Sequence, residues 1–290
     1  MVSIESAEVA MARRGKIAEG LINLERPELT DLFLTYQNEA IAARKFLANS
    51  LTDLKPGAEI LEVGGGILAL AIQLASEGFK VTTVEPVGEG FNGISYIMKV
   101  FSDIAIQENV TFKLIESPIE RCIFETKFDF IFSINVMEHL NEPFLVLNQI
   151  KGILKKGGEY RFFCPNYDFP YEPHFGKILW KRKKGSFYLE FDRARRLELD
   201  NMDSVGLYNS LNFITVAKLQ AFSKETNLLL KFNSQAFYLL LQRSINDPGL
   251  RTRHRNFVPI VDFLSKNKFL GLSKLFPTRI QPVMDVTLNN

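Results

Sequence analysis

Three consecutive glycines, Gly64-Gly65-Gly66, lie between a β-forming run and a run of small apolar residues in I-L-E-V-G-G-G-I-L-A-L (60–70). Nothing else in the 290-residue chain constrains its fold as strongly. Glycine lets a backbone turn sharply and leaves room for close approach, and the helix that follows begins with N–H groups lacking intrahelical partners. A strand, a tight turn and a helix in that order are the opening unit of an open α/β sheet.

The rhythm continues on both sides. Glu59–Val63 reads as a strand, 68–77 as a helix closed by Gly78, Lys80–Val84 as a second strand and 96–107 as a helix. Further strands are expected at 110–115, Phe128–Ile134 and 159–164, with a helix over 143–154 that ends in Lys155-Lys156-Gly157-Gly158. A helix at 214–223, strands at 228–232 and 280–288, and a basic helical stretch at 235–270 follow. Strand–helix alternation implies an α/β fold with a doubly wound, mostly parallel seven-stranded sheet and helices on both faces. Helical and loop segments are inserted after strands five and six. Residues 165–210, rich in Pro, Tyr and basic side chains, show no period.

Before the sheet, residues 1–25 look weakly helical and polar, with no core face, and are expected to be mobile. Leu32, Phe33, Tyr36, Ile41, Phe46 and Leu47 recur at helical spacing, and Lys55-Pro56-Gly57 breaks the pattern. The expected organisation is an N-terminal helical segment (1–54) followed by one domain (55–290), with a cofactor half at 55–166 and an acceptor-shaping half at 167–290.

Twenty-five Phe residues can fill a large core, and a net charge of +2 demands neither nucleic acid nor an anionic surface. Cys122 and Cys164 form no disulfide framework and have no histidines at metal spacing, so no metal is expected. The acidic N-terminus lacks the form of a signal peptide, and no window approaches the roughly 18 apolar residues of a membrane span. The simplest location is the cytoplasm. Nothing in the pattern indicates an oligomeric state.

Glu85 ends the strand V-T-T-V-E-P, where a carboxylate can accept both hydroxyls of a ribose. Gly64-x-Gly66-x-x-Ala69 also satisfies the dinucleotide pattern, which keeps an NAD(P)-dependent oxidoreductase open. Glu62 argues against it. An acid two residues before the first glycine would repel a pyrophosphate but suits a cationic cofactor.

Four separated segments carry a family resemblance: E-I-L-E-V-G-G-G-I-L-A, V-T-T-V-E-P, F-D-F-I-F-S-I-N-V-M-E-H-L and L-K-K-G-G-E-Y-R-F-F-C-P-N. Together, over residues 55–166, they resemble class I S-adenosylmethionine-dependent methyltransferases. Leu68 stands where that family usually has a third glycine. The resemblance implies S-adenosylmethionine as cofactor, with Glu62 and the Gly64–Gly66 backbone (Gly65 included) beside its methionine part. It places Glu85, with Pro86, at the ribose, Glu116 and Ser117 at the adenine, and Asn135 and Val136 beside the transferred methyl.

Two histidines are candidates for acting on the acceptor. His139 lies in E-H-L beyond the fourth strand, where it could equally belong to the packing of the next helix. His174 lies in P-N-Y-D-F-P-Y-E-P-H-F, a Pro-stiffened loop leaving the sheet, where it could act as general base or be bonded structurally under a lid. Basic clusters at 181–184, 193–196 and 251–255 are solvated faces or contacts for an anionic acceptor, and Trp180 stacks on a ring or packs. The expected function is methyl transfer to a hydroxyl or amine of a small-molecule or glycan-type acceptor. A methyltransferase-like binding protein without activity is the remaining alternative.

Overall fold

The computed structural model describes residues 4–86, 92–175, 177–178, 204–255 and 257–290. The chain forms two compact units, Met1–Ser133 with Leu145–Tyr160 and Asn290, and Ile134–Phe144 with Arg161–Asn289.

The first unit opens with three helices, α1 (Ile4–Glu25), α2 (Thr30–Phe46) and α3 (Ala48–Thr52). Then β1 (Glu59–Val63), α4 (Ala69–Ser76), β2 (Lys80–Val84), α5 (Asn92–Gln107), β3 (Lys113–Ile115) and β4 (Phe128–Ile134) alternate as expected. After α6 (Pro143–Ile153) comes β5 (Leu154–Pro165), which enters the second unit. There β6 (Tyr171–Glu172) and β7 (Lys177–Ile178) pair antiparallel. The helices α7 (Ser204–Ser210), α8 (Val216–Thr226), α9 (Ala236–Asn246), α10 (Pro248–Arg253) and α11 (Val258–Lys266) follow, with β8 (Leu230–Phe232) after α8 and β9 (Val283–Asn289) last.

The seven-stranded sheet has the order β3-β2-β1-β4-β5-β9-β8. β1 pairs parallel with both β2 and β4, β2 pairs parallel with β3, and β8 runs antiparallel to β9. The α/β expectation holds. β1, β2 and β4 fall where the sequence puts them, because each is dominated by apolar or β-branched residues, most of them buried.

Two expectations are corrected. Residues 1–25 are not a faceless polar segment: α1 buries Ala7, Met11, Arg14, Gly15, Ala18 and Ile22. Half of that face is Ala or Gly and one member is Arg, so hydrophobic periodicity misses it. Small residues serve close packing here, since a Cβ on Gly15 would lie 2.8 Å from Gln37 Nε2. Polar bonds complete the attachment: Arg14 donates to Glu108 and Gln73, and Gln37 donates to the Met11 carbonyl. On α2, buried Arg44 forms two hydrogen bonds with buried Glu77, at 2.8 and 2.6 Å.

Second, Lys155–Gly158 is not a helix end but part of β5. Gly157, at φ 78°, donates its N–H to Asn290, and Asn290 donates back to Gly158. A Cβ on Gly158 would sit 3.0 Å from the carbonyl oxygens of Asp129 and Lys155. Both glycines are set by close approach inside the sheet. The basic stretch at 235–270 is helical as expected; among the described residues it forms α9, α10 and α11, interrupted at Asp247-Pro248 and again after Arg253, because proline begins helices but does not continue them.

Leu68, the departure from the family pattern, is fully buried and left-handed at φ 67°. It packs with Ile72, Ile97 and Phe101 from α4 and α5 and with Phe33 from α2. The position asks for a left-handed residue, which glycine supplies without strain; leucine takes the strain in exchange for core contacts. Leu68→Ala keeps the strain and loses the contacts, at about 2–5 kcal/mol. Leu68→Gly loses the contacts but relieves the strain, so it retains about 1 kcal/mol more than the alanine variant. Urea unfolding should rank wild type above glycine above alanine, the reverse of the last two in an ordinary helix.

Candidate functional site

The glycine turn is an extension of the β1–β2 pairing: Gly64 and Gly65 both donate N–H to the Val84 carbonyl, at 2.8 and 3.3 Å. Gly64 and Gly66 have φ of 85° and 50°, the left-handed region. Gly65 is demanded by packing instead, because a Cβ there would lie 2.2 Å from Thr83 Oγ1. Thus part of the triplet that the sequence assigns to a ligand is required by the second strand itself.

Glu62, on β1, is buried, and its Oε2 has no hydrogen-bond partner among the described residues. Burial pushes its carboxyl up to about 8; the neighbouring Thr83 hydroxyl opposes the shift and the charge of Glu85 adds to it. Glu85, just past β2, accepts the Gly66 N–H at 2.8 Å. Burial pushes it to about 7 against the N–H groups of Gly66 and Gly65. Two carboxyls that resist ionisation therefore border one glycine loop, and a cation is the partner that would ionise them. Exposed Pro86 follows Glu85. At the adjacent strand end, exposed Glu116 and half-buried Ser117 follow β3, whose Ile115 carbonyl accepts the Glu85 N–H at 3.1 Å.

In the second unit, Asn135 leaves β4 in a left-handed conformation (φ 55°), which Asn tolerates better than most residues, and donates its N–H to Phe163. Half-buried Val136 leads into the single helical turn Met137–His139. Asn212 clamps that turn: its Nδ2 donates to the carbonyls of Met137 and Leu140, and its N–H to that of Glu138.

His139 and His174, chosen separately from the sequence, meet: their rings lie 5.1 Å apart, edge to face. The His174 Nδ1 bonds Glu172 Oε1 at 2.5 Å. Glu172 is fully buried and also accepts the Tyr167 hydroxyl at 3.1 Å and the Phe175 N–H at 2.7 Å. His139 Nδ1 bonds Ser210 Oγ at 2.8 Å. Burial and the adjacent His174 lower the His139 pKa to about 3, so its ring is neutral at ordinary pH.

Of the residues that hold this cluster, the sequence reading names Glu172 among the ionisable groups of the loop but assigns it no role. Glu172 carried only its nearness to His174 as a signal, and Ser210 and Asn212 carried none. Asn166 is fully buried at the end of β5. Its Nδ2 donates to the Gln281 carbonyl, and its Oδ1 accepts the N–H groups of Asp168 and Val216. In the third basic cluster, Arg251 is bonded twice to Asp262 and His254 bonds the Tyr171 hydroxyl. Trp180 and the clusters at 181–184 and 193–196 lie outside the described residues.

The seven-stranded sheet of this order, with Glu62 and the glycine turn at the end of β1, fits the class I Rossmann-like methyltransferases. Residues 33–204, more than half of the chain, match the model of a family described as a methyltransferase domain. The chain belongs to that family and is an S-adenosylmethionine-dependent methyltransferase. An uncharacterised protein of Mycobacterium tuberculosis (strain H37Rv) is 36% identical over 270 residues, 92% of this chain and 90% of its own. A ubiquinone biosynthesis O-methyltransferase of Rickettsia akari is 31% identical over 100 residues, 34% of this chain and 37% of that protein. The phosphoethanolamine N-methyltransferase 2 of Haemonchus contortus shares the fold, with a TM-score of 0.53 at 14% identity, over 94% of this chain and 60% of that one. No helix among the described residues is long and apolar enough to cross a membrane.

The raised carboxyls make a pH dependence. In the folded protein Glu62 holds its proton up to about 8, whereas the unfolded chain releases it near 4.5. The folded state thus binds more protons in that window, and stability falls as pH rises through it. Urea midpoints measured across the window should fall with pH, and Glu62→Gln should flatten the decline.

Proposed function

We propose that the chain transfers a methyl group from S-adenosylmethionine to a hydroxyl or amine of a small-molecule or glycan-type acceptor. Glu62 carries the reading: a buried carboxyl with an oxygen lacking a hydrogen-bond partner among the described residues, near the end of β1, is poorly suited to a phosphate and well suited to a cation. In this assignment Glu62 and the Gly64–Gly66 backbone hold the amino-acid end of the cofactor. Glu85 turns from the Gly66 N–H to the ribose hydroxyls, Pro86, Glu116 and Ser117 border the adenine, and Asn135 and Val136 border the methyl.

Bound there, the cofactor supplies a methyl on a sulfonium that departs as a neutral thioether. The protein's share is alignment and exclusion of water. His139 and His174 are the residues assigned to the acceptor: an imidazole whose Nδ1 is tied to a carboxylate or hydroxyl presents Nε2 in a fixed direction. The Rickettsia akari relative is an O-methyltransferase, which supports a hydroxyl.

Calorimetric titration with S-adenosylmethionine, its demethylated product and NAD tests the cofactor. The first two should bind and NAD should not; heat with NAD alone would overturn the reading. Binding at pH 7 should release protons, seen as a heat that varies with the buffer's ionisation enthalpy, because a cationic ligand draws Glu62 below its unliganded value of about 8. Glu62→Gln should weaken binding about tenfold or more and abolish most of that release.

For the acceptor site, His174→Ala should lower kcat about a hundredfold or more while leaving cofactor affinity intact. Unchanged turnover would remove His174 from the assignment.

A further inference from the structure

Two of the chain's three histidines share a cluster with Glu138, and one ligating atom from each of Glu138, His139 and His174 lies within 4.8 Å of the others. The surrounding bonds identify the ring atom each histidine offers. The Ser210 hydroxyl donates to the Leu207 carbonyl at 2.7 Å, so its oxygen accepts from His139 Nδ1–H. The Glu172 carboxylate, which already accepts from Tyr167 and Phe175, accepts from His174 Nδ1–H. Both imidazoles are thereby set in the tautomer whose lone pair is on Nε2. That is how metal-binding histidines are oriented, with a carboxylate or other oxygen on the second nitrogen.

We propose that Glu138, His139 and His174 bind a divalent transition-metal cation, through the two Nε2 atoms and the Glu138 carboxylate, with Glu172 and Ser210 orienting the rings. Two imidazoles and one carboxylate suit borderline cations such as Zn²⁺, Fe²⁺ or Co²⁺ better than Mg²⁺ or Ca²⁺. His139 Nε2 is 4.0 Å from Glu138 Oε1. A tetrahedral cation at about 2.1 Å from each donor needs them roughly 3.4 Å apart, so small side-chain rotations close the site. The sequence reading expects no metal; the ligands proposed here come from separate segments, after β4 and after β5, with no short spacing between them.

The inference rests on the methyl-transfer reading for its consequence. Three protein ligands leave coordination positions for an acceptor oxygen. A hydroxyl bound there loses its proton to solvent more readily. The oxygen's electron pair then forms the O–C bond as the C–S bond breaks, and sulfur keeps that bonding pair as the neutral thioether.

The test uses the full chain, stripped with EDTA, dialysed and titrated with CoCl₂ while the visible absorption of bound cobalt is followed, with ZnCl₂ as competitor. One cobalt per chain, displaced by zinc, is expected. His139→Asn and His174→Ala should abolish the spectrum, Glu172→Gln should weaken binding about tenfold, and His254→Ala should leave it unchanged. Circular dichroism and thermal melts identify variants that fail to fold, and Glu138→Gln then replaces them. Absence of a cobalt spectrum in the wild type, or an unaltered one in folded His139→Asn or Glu138→Gln, overturns the proposal.

Two outcomes separate this proposal from the reading beneath it. S-adenosylmethionine binding and methyl transfer that survive EDTA sink the metal's role and leave the methyltransferase reading standing. A chain that binds cobalt but no S-adenosylmethionine sinks the cofactor assignment and leaves the metal site.

Discussion

A carboxyl buried near the end of β1 is the constraint on which the cofactor half depends. β1 is flanked on both sides by parallel neighbours and Glu62 is buried, so ionising it there without a partner is expensive. In the unliganded protein it stays protonated to about 8. The turn after it is equally determined. Gly64 and Gly65 continue the ladder to Val84, Thr83 leaves no room for a Cβ at Gly65, and Glu85 closes on Gly66. Strand ladder, loop shape and the two perturbed carboxyls form one connected arrangement.

The N-terminal helices brace that unit by different means. α1 and α2 place Met11, Ile22 and Phe33 in the core and attach also through close approach at Gly15 and through Arg14, Gln37 and Arg44. Removing one member of the Arg44–Glu77 pair would strand a buried charge, which costs far more than an exposed pair contributes. Arg44 and Glu77 join α2 to the residue after α4, and α4 starts from the glycine turn.

In the second unit the equivalent role falls to amides and a carboxylate. Asn166 ties the end of β5 to backbone near Gln281 and Val216. Asn212 holds the turn carrying Glu138 and His139, and Glu172 fixes His174 from inside. Buried polar groups with several partners orient functional side chains because each lost bond would leave a desolvated group unpaired.

What the sequence determined by itself was local. β1, β2 and β4, the glycine turn, Glu62 and Glu85 were legible because a strand's apolar run and a turn's glycines express themselves within a few residues. What escaped it depended on remote partners. α1 hid its face in Ala, Gly and Arg, whose burial makes sense only against Gln37, Glu108 and Gln73. The Lys155–Gly158 segment resembled a helix end until Asn290 paired with it. The sequence offered His139 and His174 as separate candidates and said nothing of Ser210 or Asn212. Only the tertiary structure joined them, because hydrogen bonds between segments far apart in the chain leave no periodic trace along it.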